Sequence, residues 1–253
     1  MQAIKVGCAG WSIPRQSLAL FGEGESMLAR YATRFAVVEV NSSFYQPHKP
    51  ATYARWASSV PRDFRFSVKI PKLISHELAL RHSAPALDRF LGETEALGSK
   101  LGGFLLQLPP SHLLDARVAS TFFRMFRHRS QAPLVCEPRH ASWFSSSAEA
   151  LLQRYGVGRV AADPALVDDA RRPEAVSPWP YWRWHGSPQM YYSAYTEDSL
   201  QQLAIAVVSA RWPACPWIIF DNTAHGHATG NAALLQDLLR TLSSPRTPEN
   251  SHA

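Results

Sequence analysis

Eight short apolar runs punctuate the chain, and nearly every one stops at a cluster of polar or aromatic residues. In order they read IKVGCAGW, AVVEVNSSFY, FRFSVKIPKLISHE, GGFLLQLPPS, PLVCEPRHASW, GRVAADPA, PYWRWHGSP and WIIFDNTAHG. Helical patterns fill most of the gaps between them. This rhythm predicts an α/β chain folded as a single TIM-like (β/α)8 barrel, whose working face is built from the loops that follow the strands.

The helices follow from periodicity and end signals. Ser26 is placed to cap a first helix with Met27, Leu28, Tyr31 and Phe35 on its inner stripe. A short helix near 51–59 offers Tyr53, Trp56 and Ala57. Residues 84–97 carry Leu87, Phe90, Leu91 and Leu97, with Gly98 as a stop. Asp115 caps 116–129, where Val118, Phe122, Met125 and Phe126 recur at helical spacing. A helix over 147–155 ends at Gly156, Thr196 opens one through Leu200, Leu203, Ala204, Val207 and Val208, and 229–242 carries Leu234, Leu235, Leu238 and Leu239. These stripes are read as core. The sixth βα unit is irregular: Pro173, Pro178 and Pro180 in LVDDARRPEAVSPWP argue against a regular helix and for a long loop. The polar end SSPRTPENSHA is expected to fray, leaving one barrel domain over 1–243 and a flexible tail over 244–253.

Chemistry is concentrated at the strand ends. Strand side chains alternate, so Glu39 shares a face with Asn41, Ser67 with Lys69, Glu137 with Arg139, Arg183 with His185, and Ile219 with Asp221. Such polar pairs are costly against helices, and the barrel interior or its mouth is the cheaper place for them. Glu39, Lys69, Glu137, Asp163, Arg183, His185 and Asp221 then converge from different strands. In one reading Arg139, Arg183 and Lys69 hold an anion, Glu39 or Glu137 moves a proton, and His185 assists. Asn41, Gln107, Asp221 and Asn222 orient hydroxyls, while Trp11, Tyr45 and Trp143 form apolar walls for a sugar-like ring. The plainer reading makes Lys69 and Arg139 structural partners of Glu39 and Glu137, and lets Asn41, Asp221 and Asn222 merely tie down loops. No metal is expected, because the interleaved cations already neutralise the carboxylates, and no cofactor is implied. The chain contains no GxSxG, P-loop, strand-linked GxGxxG or HExxH pattern.

A length of 253 residues suits one barrel, for which about 250 is typical. No stretch approaches the ~20 apolar residues of a membrane span, so no membrane partner is expected. The chain opens on a strand rather than a signal peptide. Cys8, Cys136 and Cys215 cannot all pair and lack metal-ligand spacing, which points to a reducing cytoplasm. The net charge of +6 favours anionic partners, but the arginines are scattered and no nucleic-acid motif is present. Three functions stay open. They are an acid–base enzyme (hydrolase, lyase or isomerase) on a small anionic or polyhydroxylated substrate, a nucleic-acid-processing enzyme with metal-dependent phosphodiester hydrolysis as one form, and a non-catalytic ligand sensor. Oligomeric state is not legible.

The segments GCAGWS, VEVNSSFY, FSVKIPKLISHE, LGGFLLQLPPS, CEPRHASW, ADPA, YWRWHG, YYSAYT and FDNTAHGHATGNA follow one another in an order that resembles the YecE-like proteins, the DUF72 family. The resemblance runs from about residue 4 to 242. It implies a YecE-type (β/α)8 barrel and signature positions including Trp11, Glu39, Asn41, Lys69, Glu137, Arg183, His185 and Asp221, but no reaction. The stretch IPRQSLALFGEGES departs from the family look, which predicts a first βα loop of different shape.

Overall fold

Each apolar run becomes a parallel strand, and one of them is split in two. The computed structural model describes residues 4–173 and 177–243, so the expected tail lies outside the described residues. The strands are β1 (Lys5–Cys8), β2 (Val37–Val40), β3 (Arg65–Lys69), β4 (Leu101–Gln107), β5 (Leu134–Glu137), β6 (Val157–Arg159), β7 (Ala161–Asp163), β8 (Tyr181–Trp184) and β9 (Trp217–Phe220). They pair in two ladders, β2-β3-β4-β5-β6 and β1-β9-β8-β7. The ladders alone therefore do not draw the single closed ring expected from the sequence.

Two local features account for the gaps. The sixth apolar run pairs with β5 through its first half and with β8 through its second, changing partner at Val160. Between β1 and β2, a tyrosine takes the place of a direct ladder bond. The Tyr31 hydroxyl accepts from the Cys8 amide at 2.8 Å and donates to the Val37 carbonyl at 2.9 Å. One turn further along, an Ala9–Glu39 bridge forms, and the Gly10 amide donates to the Glu39 carbonyl at 2.8 Å. Gly7 lies opposite Val37 with no room for a side chain, since a Cβ there would fall 2.2 Å from the Val37 carbonyl oxygen. Replacing Tyr31 with Phe leaves a buried amide and a buried carbonyl without their partner, at an expected cost of about 1–3 kcal/mol. Urea unfolding measures this directly, and an unchanged midpoint would mean that water or a direct bond replaces the hydroxyl.

The helices are α1 (Met27–Tyr31), α2 (Ser42–Tyr45), α3 (Pro50–Ser58), α4 (Ala84–Thr94), α5 (Ala116–Arg129), α6 (Ser146–Arg154), α7 (Glu197–Ser209) and α8 (His227–Ser243). Ser26 caps α1 by accepting from the Ala29 amide, Asp115 caps α5 through the Arg117 and Val118 amides, and Thr196 caps α7 through Ser199. Met27, expected on the inner stripe, is 47% exposed, because α1 is one short turn and its first residue lies outside the packed side. The one-turn helix α2 and a π-turn over Leu73–Glu77 carry no periodic stripe and were not anticipated. After β7 only a 3₁₀ turn, Asp168–Arg171, is found among the described residues before β8. A cavity of about 630 Å³ lies between Trp182, Trp184 and α7, beside that helix-poor unit.

Alternation sorts the strand side chains into two cores. Val38, Val40, Val68, Leu106 and Phe220 join the helix residues Leu87, Phe122 and Leu200. On the opposite face Val37, Leu105, Val135, Val160, Tyr181 and Ile219 form a separate cluster with Trp179 and Trp217. The Trp179 ring lies 4.8 Å from Tyr181 and 5.0 Å from Trp217, forming an aromatic floor. No helix among the described residues is long and apolar enough to cross a membrane.

Candidate functional site

For five members of that inner cluster the second residue onward is polar: Val37 leads to Glu39, Leu105 to Gln107, Val135 to Glu137, Tyr181 to Arg183 and Ile219 to Asp221, whereas Val160 leads to Ala162. Strand alternation therefore stacks a polar level on the apolar one, at the C-terminal ends of the strands. Arg183 is its centre and is fully buried. Its Nε donates to the Glu39 carboxylate, and one terminal nitrogen donates to Glu39 at 2.7 Å and to Asp221 at 2.7 Å. The other donates to Glu137 at 2.6 Å and to Gln107 at 3.2 Å. All five guanidinium donors are thereby used, which is what makes a buried arginine tolerable. Burial opposes its charge, but Glu39, Glu137 and Asp221 together hold its pKa well above the ordinary value. Tyr181 completes this level from below, donating to Glu39 at 2.8 Å with its hydroxyl 3.0 Å from Ser67 Oγ.

One step outward, His185 lies between two carboxylates. Its Nδ1 is 3.1 Å from Asp221, and its Nε2 is 2.9 Å from Glu137 Oε1. Nε2 also meets an Arg139 terminal nitrogen at 2.8 Å, while the same nitrogen pairs with Glu137 at 2.5 Å. A protonated Nε2 donates to Glu137, and a bare one accepts from Arg139. Burial would raise the Glu137 carboxyl, but Arg139, Arg183 and His185 outweigh it and hold it well below the usual carboxylate range. Asp221 is likewise lowered, burial being overcome by Arg183 and His185. A carboxylate so firmly ionised is a poor proton acceptor near neutrality. Glu39 is sealed from solvent with both oxygens engaged, and it has no path to a ligand. Both carboxylates expected as bases are thus held in ion pairs, Glu39 on Arg183 and Glu137 on Arg183 and Arg139.

Three further expected residues lie at the accessible rim. Lys69 is 7% exposed, with its ammonium 4.2 Å from the centre of the Phe44 ring. Burial first, then the Arg183 charge, lowers its pKa to about 8 against the pull of Glu39, Glu137 and Asp221. Asn41 donates to Asp221 at 3.5 Å, and its buried Oδ1 has no hydrogen-bond partner among the described residues. The Arg139 side chain remains 14% exposed and the Asp221 side chain 10%.

Other expected residues are not brought into this cluster. Trp143 sits in a 3₁₀ turn, wholly buried in the helix-facing core, with its indole donating to the His112 carbonyl. Asp163 shares a face with Ala161, which packs toward the helices, and accepts from the Tyr195 hydroxyl at 2.7 Å. Asn222 turns to Ser193 and Asn231 and braces the loop after β8. Tyr45 is 79% exposed, and Trp11 is half-buried and edge-on to Trp56 at 4.9 Å. Neither ring makes a contact with the Arg183 network. Sequence reasoning missed Tyr181, whose place in the run PYWRWHG reads as core, and Tyr191, which packs edge-on to His185 at 5.7 Å. Among the described residues no group of His, Cys, Asp or Glu side chains is arranged to hold a metal ion. The carboxylates converge on Arg183 instead.

The UPF0759 protein YecE of Escherichia coli strain K12 is 31% identical over 183 residues, 66% of this chain and 62% of that protein. The UPF0759 protein YunF of Bacillus subtilis is 27% identical over 150 residues, 56% of this chain and 52% of that one. The matched region thus spans less than two thirds of the length of these curated relatives. A crystal structure of a DUF72 family protein from Thermotoga maritima superposes with a TM-score of 0.77 at 23% identity, over 94% of this chain and 99% of that one. SacUVDE superposes at 0.55 with 10% identity, over 96% and 99%. At these identities the two structures speak to the fold alone, a parallel-sheet α/β architecture. The family model described as "Protein of unknown function DUF72" matches residues 5–252, from the first residue of β1 to beyond the last helix, and the chain belongs to that family.

Proposed function

We propose that the two ladders close into one (β/α)8 barrel, and that its C-terminal mouth binds a small anionic, polyhydroxylated molecule with which His185 exchanges a proton. Closure is supported by the Tyr31 link and Ala9–Glu39 bridge on one side and by chain continuity through Val160 on the other. The aromatic floor and the saturated Arg183 level leave the mouth as the approach to the interior. The observation that carries the functional reading is Arg139. Its guanidinium is partly exposed, yet it covers His185 Nε2 and Glu137 together. An anion that draws Arg139 outward uncovers the imidazole and supplies the charge that Arg139 then neutralises. The unpartnered Asn41 Oδ1 is an acceptor for a ligand hydroxyl, and Lys69 adds a second cation. Buried free thiols at Cys8 and Cys136 support a reducing, cytoplasmic setting.

Calorimetric titration with glycerol 3-phosphate and with lactate tests this reading. Saturable binding is expected, weakened at least tenfold (about 1.4 kcal/mol) by Arg139→Ala in protein that still unfolds cooperatively. Absence of binding by both anions, or equal affinity in the variant, overturns it. A short DNA duplex tests the nucleic-acid alternative in the same assay. Binding that falls steeply with salt, while the small anions fail, would favour that alternative.

A further inference from the structure

We propose that Lys69 is a Schiff-base nucleophile, which makes the ligand of this mouth an anionic ketone. The inference rests on the anion-binding reading above and narrows it to a substrate class. Lys69 ends β3 on the same face as Ser67, directed toward the Arg183 level. Its ammonium is almost buried, yet among the described residues it has no ion-pair or hydrogen-bond partner, only the Phe44 ring.

That arrangement is poor for a structural cation. A buried lysine kept for stability is ordinarily paired, because an unpaired buried charge is expensive. Three carboxylates stand in the same cluster, but their oxygens are turned onto Arg183 and His185. His76, edge-on to Phe44 at 5.0 Å, is a further ionisable group on that side, with Lys72, Glu77 and His112 near it. Burial and the nearby guanidinium both favour the neutral amine, and bring its pKa close enough to neutrality for a nucleophilic fraction to be present. Phe44 favours the ammonium through its ring face, but does not restore the ordinary value.

The chemistry closes without an added oxidant or reductant. The neutral Lys69 nitrogen attacks the carbonyl carbon, and the C–O π electrons move to oxygen to give a carbinolamine. Both amine hydrogens leave with that oxygen as water. One further proton, from solvent or His185, makes the imine cationic. The cationic imine then draws the electrons of a neighbouring C–H bond into an enamine, and the proton passes to His185 Nε2. Water reverses the sequence and restores the amine.

Borohydride trapping tests the proposal. The intact protein is incubated with pyruvate or with dihydroxyacetone phosphate, reduced with sodium borohydride, and mapped by peptide mass spectrometry. The reduced adduct is expected on Lys69 at least about tenfold faster than on Lys5, Lys49, Lys72 or Lys100, and faster at pH 9 than at pH 6. It is lost in Lys69→Met and also in Lys69→Arg, which keeps the charge should the first variant fold poorly. Labelling of Lys69 no faster than the other lysines, by both ketones, overturns the proposal. Lactate and glycerol 3-phosphate separate the two failures. If they bind in an Arg139-dependent way while no adduct forms, only the imine falls; if they do not bind either, the site reading falls with it.

Discussion

Arg183→Met is expected to cost about 3–5 kcal/mol at neutral pH, or to prevent folding altogether. The substitution removes the group that, among the described residues, ties Glu39, Glu137, Gln107 and Asp221 together, and leaves three buried carboxylates with fewer partners. The dependence on pH distinguishes this from a simple packing loss. In the native protein Glu137 and Asp221 are lowered below their ordinary values. Their stabilisation is complete above the unfolded carboxylate range, near pH 4, and is lost only as pH falls through the lower folded values. In the variant Glu137 keeps Arg139 and His185 and Asp221 keeps His185, so burial is opposed by fewer cations and both carboxyls are lowered less. Its stability should then fall less steeply than the native protein's as pH drops below about 4. Urea unfolding of both proteins between about pH 2 and 6 measures the two slopes. Parallel slopes, or a loss below about 1 kcal/mol, would mean that the carboxylates are not held by Arg183.

Gly7→Val should be the second most damaging single change, at about 3 kcal/mol. The atom that a side chain would strike is the Val37 carbonyl oxygen at 2.2 Å, and the Tyr31 hydroxyl lies 3.0 Å away. Neither is the free end of a flexible chain. Relief requires β1 and β2 to part, breaking the tyrosine link and the Ala9–Glu39 bridge beside it. A fall in melting temperature of about 6–12 °C follows for a chain of this size. Gly92→Ala in α4 is the control, since a Cβ there meets nothing within 4 Å. It should leave stability equal or slightly higher. A Gly7→Val protein that melts with the control would show that the two strands are not tightly apposed.

Much of this architecture was legible because its signals are local. Asp115, Ser26 and Thr196 mark their helices through bonds to amides two or three residues away, and hydroxyl- or carboxylate-bearing residues before an apolar stripe are visible in a sequence. The polar pairs at the strand ends were legible for the same reason, since alternation fixes the shared face of Arg183 and His185. What stayed hidden depends on distant partners. Nothing near Tyr181 says that its hydroxyl meets Glu39, 142 residues away in the chain. Nor does the run at Tyr31 announce that its side chain bridges two strands. Asp163 was misplaced because its face is decided by Ala161, whose packing becomes known only when the helices are in place. For Trp143 alternation gave no guidance, because the residue falls in a turn beyond the end of β5. Glu39 and Glu137 were recognised as polar members of the interior, but their chemistry could not be read without knowing how completely one guanidinium claims them.

Trp179, Tyr181 and Trp217 pack against one another, and closure of the two ladders as proposed would make the interior blind at that end. In the proposed barrel a molecule that enters must depart by the same doorway, past Arg139 and the segment bearing Tyr191. Arrival and departure then compete for one passage, and a spent molecule blocks its successor until it leaves. Exchange of whatever such a vessel holds would be paced at its lip.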